Sequence, residues 1–293
     1  MKLFIETPTW LGDAVMSSGA IYKLVDFFKP DEVMIFGSFV ATELFKNDFK
    51  VIVDDRKHRI KQLFTLPKVD MAISFRSSFY SKILTKLITK QGWTFPKNLQ
   101  GHQVEKYSQY INQIINQNEI YTPKLNFTPF KYKNPTIGIN PGATYGSAKR
   151  WYPKEFAKVA NELGKKYDII IFGGPGEEEI ANDIEKNLTI KNYKNLCAKL
   201  TIKELCEKIG GLELFVTNDS GPMHIAAAFA VKIVALFGPT KYSETSPYNT
   251  KYKIVTKNLD CAPCMKRECP LKHHNCMKLI NADEVIQSVY NLI

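Results

Sequence analysis

No apolar run in this sequence is long enough to cross a bilayer. The longest, Ile225 to Phe237, is interrupted by Lys232 and falls short of the about 20 residues that a spanning helix needs. The opening residues, MKLFIETPTWLGD, hold only a small apolar segment, broken by Pro8 and Asp13, so no secretory signal is read there and a cytoplasmic protein is expected. Cysteine is scarce, with six in 293 residues. In a reducing compartment these do not imply a disulfide framework. Both common nucleotide fingerprints are missing. FGGPGE lacks the Gly-x-Gly-x-x-Gly spacing, and no glycine loop ends in the Lys-Thr or Lys-Ser of a P-loop.

Acidic residues are also in deficit. The chain has 40 Lys+Arg against 29 Asp+Glu, a net charge of +11. Residues 1–135 carry 19 cations against 12 acids, and Val51 to Lys97 alone carries ten against Asp54, Asp55 and Asp70. Such a balance favours a phosphate-rich or otherwise anionic partner without naming it, since a solvated lysine-rich face looks the same in sequence.

What is present is an ordinary globular composition, 44% hydrophobic and 24% charged. Short apolar runs read as buried strands: Leu3–Ile5, Glu32–Ser38, Lys50–Asp55 and Val69–Ser78, each followed by a loop or a helical segment. The segment 121–136 is polar, with three prolines and no periodicity, and reads as a linker. The pattern then restarts with TIGINPGA, DIIIFGGPG, LELFVTND and KIVALFGPT, and it ends in a helix capped by Asn281. Strand–helix alternation of this kind predicts parallel sheets covered on both faces. The expected fold class is α/β, with two doubly wound Rossmann-like domains facing a cleft, residues 1–132 and 133–293.

In such sheets ligands bind beyond the carboxyl ends of the strands, where loops enter helix amino ends. Four loops meet that rule: TPTWLGDAV, NPGATYGSAKRW, FGGPGEEE and TNDSGPMH. Singly each has a plain structural reading. Asn218, Asp219 or Ser220 would cap a helix, Asp13 would complement a helix dipole, and His224 would be a satisfied helix histidine. Together they supply one carboxylate in the first domain and several anion-friendly loops in the second. That set suits sugar transfer from a nucleoside diphosphate, with a base for the acceptor hydroxyl and positive groups for the leaving diphosphate.

These segments, with CAPCMKRECPLKHHNCM, resemble the heptosyltransferases, glycosyltransferase family nine, in order over nearly the whole chain. The resemblance implies a GT-B fold and an inverting, metal-independent transfer of heptose from ADP-heptose, which serves as donor substrate with no cofactor. It implies Asp13 as general base, with Trp10 and Gly12 in the acceptor loop. Lys149 would sit on the donor phosphates beside Thr144 and Tyr145, and Leu200 against adenine. Asp219, Ser220 and Gly221 would hold the heptose and β-phosphate, with His224 one turn on. The acceptor would be the heptose/Kdo inner core of lipopolysaccharide, met at the inner membrane surface.

Cys261, Cys264, Cys269 and Cys276, with His273 and His274 among them, have the ligand types of a structural zinc site. Free or packed thiols are the commoner outcome of such a spacing, and no metal is expected in the chemistry. A basic nucleic-acid-binding protein with a zinc module would explain charge and cysteines, but it leaves Asp13 and four glycine loops without a role. A nicotinamide-dependent enzyme would need the absent dinucleotide fingerprint.

Overall fold

The computed structural model describes all 293 residues, and the chain divides into two compact units, Met1–Asn126 and Phe127–Ile293. The first unit holds five strands: β1 (Lys2–Glu6), β2 (Glu32–Gly37), β3 (Lys50–Val53), β4 (Met71–Ser74) and β5 (Gln91–Thr94). They form one parallel sheet in the order β3-β2-β1-β4-β5. Phe4 at its centre lies opposite Met34 on one side and Ala72 on the other, and all three are buried, as a doubly covered sheet requires. The helix after β1, Leu11–Phe28, buries nine residues, Ser17, Ser18 and Gly19 among them. Gly19 is needed for contact: a Cβ there would stand 2.1 Å from the Thr122 carbonyl oxygen, so the 121–122 backbone lies directly on the helix. Ser18 Oγ fixes that segment by accepting from Lys124 N at 2.8 Å.

The second unit holds β6 (Thr136–Asn140), β7 (Asp168–Ile171), β8 (Tyr193–Asn195), β9 (Leu214–Asn218), β10 (Lys232–Phe237) and β11 (Tyr252–Thr256). Their order is β11-β10-β9-β6-β7-β8, again parallel throughout. Trp151 is fully buried, packs edge-on against Phe156 at 5.0 Å, and donates its indole N–H to Ile280 O at 3.0 Å. The helix Pro153–Leu163 starts with its proline in the first turn, where a missing N–H costs nothing. The closing helix Ala282–Tyr290 is capped as the sequence indicates, with Asn281 Oδ1 accepting from Glu284 N at 2.9 Å.

β5, β8 and β11 have no counterpart among the strands read from sequence. Each lies at a sheet edge, with one ladder partner and a polar or half-exposed composition, so no apolar run announces it.

Candidate functional site

In each sheet the strand order reverses beside the unit's first strand: between β1 and β4 in the first, between β6 and β9 in the second. Ligands of doubly wound sheets bind outside such a reversal, because the loops on its two sides run away from each other and leave a crevice.

At the first reversal the loop Thr7–Trp10 leads into the helix Leu11–Phe28, which places Asp13 in the helix's first turn and half-buried. A pocket of about 400 Å³ opens there, bounded by Trp10, Asp13, Arg76, Ser78, Lys97 and Tyr107, with Phe75 and Phe95 among its other walls. Tyr107 Oη stands 3.5 Å from Asp13 Oδ1. Burial, and then the negative charge of Asp13, hold this phenol's pKa well above its ordinary value of 10. Tyr107 therefore stays protonated and can only donate toward the carboxylate. Half-exposed Trp10 and the ring walls suit the face of a sugar, while Arg76 and Lys97 suit an anionic substituent. Gly12 is half-buried in the first turn beside Asp13.

Beneath this pocket lies a charge network that the sequence reading missed. Arg76 donates through Nε to Thr7 O at 2.7 Å, and its Nη1 lies 3.3 Å from Glu6 Oε1 and 3.2 Å from Asp54 Oδ2. Arg59 grips the same aspartate in a two-pronged pair at 2.9 and 2.5 Å, and Ser74 Oγ donates to Glu6. Burial raises the Glu6 pKa, and the Arg76 charge and the Ser74 hydroxyl act against it. Asp54 lies below its ordinary range: burial pushes it up, but the hydrogen bonds from Arg59 and Arg76 outweigh that. Through Thr7, Arg76 fixes the loop that carries Trp10 and delivers Asp13. The available signal was FRSS at the end of an apolar strand, with acids at the ends of two other strands, Glu6 of β1 and Asp54 after β3, to receive the arginine.

At the second reversal the two loops are tied by asparagines. Asn218 Nδ2 donates to Pro141 O at 2.6 Å, while its Oδ1 accepts from Trp151 N at 3.2 Å. Asn140 Nδ2 donates to Ser220 Oγ and to Gly142 O, both at 3.2 Å. Lys149, on a short 3-10 turn Ser147–Lys149, donates to Asp219 Oδ2 at 2.6 Å, and Thr240 Oγ1 donates to the same oxygen at 2.6 Å. Lys149 and Asp219 are thus a nearly buried ion pair.

Ser220 occupies the N-cap position of the helix Gly221–Ala228, but its side chain makes no capping bond and Asp219 points to Lys149. The expectation that this loop caps its helix with a side chain is therefore corrected. The hydroxyl is turned toward Asn140 and Thr217 instead, at 3.2 and 3.3 Å. The uncapped amino end retains its positive dipole for an anion. His224 is buried one turn on, beyond Gly221.

Two cations lie over the Tyr145 ring, Lys149 Nζ at 4.7 Å and the Arg267 guanidinium at 5.4 Å from its centroid, and its hydroxyl donates to Met265 O at 3.0 Å. Thr144 is exposed beside it, and Leu200 is half-buried immediately before the capping box of Thr201 and Glu204. Glu177 is buried and accepts from Gly174 N at 2.8 Å. Burial raises its pKa, and its carboxylate fills the space where a Cβ on Gly142 would fall.

The cysteine-rich segment braces the Lys149 turn. Ala148 N donates to Arg267 O at 3.0 Å, and His274 Nε2 lies 2.8 Å from Ala148 O while its Nδ1 meets Tyr152 Oη at 3.1 Å. Cys261, Cys264, Cys269 and Cys276 are free thiols around a cavity of about 20 Å³. Burial first, then the neighbouring thiols, push Cys276 up to about 11. No three His, Cys, Asp or Glu side chains are placed to hold a metal ion. The segment's visible work is mechanical.

The family model for glycosyltransferase family 9 (heptosyltransferase) matches residues 70–275. Lipooligosaccharide heptosyltransferase 2 of Campylobacter jejuni subsp. jejuni serotype O:2 is 45% identical over 315 aligned residues, covering 100% of this chain and 98% of its own. Lipopolysaccharide heptosyltransferase 2 of Salmonella typhimurium is 29% identical over 55% of this chain and 47% of its own. Among solved structures, the E. coli ADP-heptose lps heptosyltransferase II superposes with a TM-score of 0.84 at 22% identity, over 100% of this chain and 98% of that one. The E. coli heptosyltransferase WaaC with ADP superposes at 0.75 and 14% identity, over the full length of both.

Proposed function

Since the chain belongs to glycosyltransferase family 9, the heptosyltransferases, and acts in the assembly of the lipopolysaccharide or lipooligosaccharide core, we propose that it moves L-glycero-D-manno-heptose from ADP-heptose to the heptose/Kdo inner core, with inversion. Asp13 takes the proton from the acceptor hydroxyl as that oxygen bonds to the anomeric carbon. The bond from that carbon to the β-phosphate oxygen breaks in the same displacement, and ADP leaves. Lys149 and the N–H groups at the start of Gly221–Ala228 neutralise the charge that grows on the diphosphate. One base and one displacement suffice, and no cofactor or metal enters the chemistry.

The observation that carries this reading is the placing of Asp13: a carboxylate in a helix's first turn, beside a phenol held protonated, at the mouth of a pocket with ring and cationic walls. Trp10 and Gly12 then shape the acceptor side. Asp219, Ser220, Gly221 and His224 serve the sugar and β-phosphate, Thr144 and Tyr145 the phosphates, and Leu200 the adenine. The enzyme would work in the cytoplasm on an acceptor borne by the inner membrane. No helix is long and apolar enough to cross a membrane, so that contact would be peripheral.

The test is a nucleotide panel read by thermal shift, followed by transfer. ADP, but not UDP, GDP or CMP, should raise the melting temperature. ADP-heptose with a purified inner-core acceptor should release ADP and add one heptose to the acceptor. Stabilisation by UDP or GDP, or ADP-heptose left unconsumed, overturns the donor assignment.

A further inference from the structure

Ile60, Phe64 and Phe79 stand 77%, 76% and 78% exposed, the three most solvent-exposed large apolar side chains of the protein. They occur together. Ile60 and Phe64 are four residues apart on the helix Arg59–Thr65, so they share one face of it. Phe79 opens the helix Phe79–Ile88. The two helices join one apolar cluster: Leu63 of the first and Tyr80 of the second pack against a buried group that includes Leu84 and the strand residues Phe4, Met34 and Ala72. The Arg59 guanidinium lies 4.9 Å over the Tyr80 ring, beside Ile60 and Phe79 in sequence.

The two helices and the turn before the first lie in the most basic stretch of the chain. Arg56, Lys57, Lys61, Lys82 and Lys86 are all exposed, and none forms an ion pair. The nearby acids are taken: Asp54 by Arg59 and Arg76, Asp55 by His58. Elsewhere exposed lysines commonly pair with an acid three residues before them, as Lys158, Lys165 and Lys186 do. Here cations and apolar tips are left outward together.

We propose that the surface of helices Arg59–Thr65 and Phe79–Ile88 is a docking face for an anionic lipid bilayer, with Ile60, Phe64 and Phe79 entering the acyl boundary and the unpaired cations meeting lipid phosphates. The apolar groups project from convex helix faces, which suits insertion into a soft interface. The unpaired cations complement an anionic headgroup layer, and their attraction fades with salt because they are solvent-exposed. The position has a use. Ser78, the N-cap of the second helix, lines the pocket that holds Asp13, and Phe79 is the next residue. A headgroup acceptor still anchored in the bilayer would therefore be presented at the pocket's edge. This last point rests on the proposed lipid-borne acceptor, whereas the docking face itself does not.

The test is co-sedimentation of the full chain with vesicles of phosphatidylglycerol and phosphatidylethanolamine, against vesicles of phosphatidylcholine alone. The wild type should bind the anionic vesicles at least tenfold better, and half-molar salt should remove most of that preference. The triple variant Ile60→Ser, Phe64→Ser, Phe79→Ser should lose tenfold or more in binding, as should Lys57→Glu, Lys61→Glu, Lys82→Glu. The exposed substitutions Tyr242→Ser and Leu271→Ser, both in the second unit, should bind as wild type. All these variants should transfer heptose to a water-soluble, delipidated core acceptor as the wild type does, which also verifies their folding. Equal binding to both vesicle types, or undiminished binding by both triple variants, overturns the docking face. A wild type that binds vesicles but transfers nothing to the soluble acceptor would sink the enzymatic reading and leave this one standing.

Discussion

Lys149 Nζ and Thr240 Oγ1 converge on one oxygen, Asp219 Oδ2, each at 2.6 Å. The lysine offsets a nearly buried carboxylate, and under the proposed mechanism it would also offer positive charge to the diphosphate. Lys149→Ala removes both. It should weaken ADP binding about tenfold, the worth of one charge-assisted hydrogen bond. It should also destabilise the fold by about 3 kcal/mol, because Asp219 is left buried and under-compensated. Adding Asp219→Asn should recover part of that loss, so the two substitutions will not add in urea unfolding. Additivity would mean the pair is not energetically coupled.

Asp13→Asn keeps the shape of the first helical turn but removes the proposed base. Turnover should fall by about 10² to 10⁴, the usual worth of a positioned general base. ADP affinity, measured by calorimetry, should be unchanged. A collapse of ADP binding would move Asp13 from the acceptor to the donor side.

Gly146 lies where the Lys149 turn meets the cysteine-rich segment, and a Cβ there would stand 2.2 Å from the Arg267 carbonyl oxygen. Backbone cannot yield as a flexible side-chain end can, so Gly146→Ala should cost about 1–3 kcal/mol. It should also raise the KM for ADP-heptose by displacing Lys149. A core variant of equal destabilisation, Val289→Ala, should leave that KM alone, which separates a local role for the brace from a general loss of stability.

Glu177 offers a pH signature. Its folded pKa is raised above 4.5 by burial, so the folded state holds the proton more tightly than the unfolded chain. Stability from this group is then full below about 4.5 and declines as pH rises through the folded pKa, where the carboxylate becomes charged in a buried site. Glu177→Gln removes that decline. The variant should gain on the wild type as pH rises from 4.5 toward 8, and the gap should shrink on acidification. A gap independent of pH would show that the carboxylate titrates normally.

The central strands were legible because burial on both faces leaves uninterrupted apolar runs such as LFI and KIVALF, and the loops after them were legible from their glycines. The edge strands β5 and β8 were not, since QGWT and YKN carry no such run. Among candidate site residues, Asp13, Lys149 and Asp219 stood out by type and place, and Asn218 only as a helix cap. Arg76, Asn140 and Thr240 did not, nor did the tie that Asn218 makes. Each acts through a partner distant in sequence, Asn218 reaching Pro141 77 residues away and Arg76 reaching Thr7 69 away. A single sequence contains no signal for such pairs. The capping expectation at Ser220 failed for a similar reason: local spacing favours the cap, while Asn140 and Thr217 compete for the hydroxyl from other strands.

Each sheet carries its own reversal of strand order, with its own set of tethered loops. One half can therefore be revised in evolution while the other stands still. Enzymes that share a nucleotide sugar but extend different points of a glycan should keep the asparagine ties and the Lys149–Asp219 pair. They should diversify in the Thr7–Trp10 and Phe75–Ser78 loops and around Lys97. A panel of chimaeras exchanging residues 1–126 between family members would then change the acceptor while the donor stayed the same.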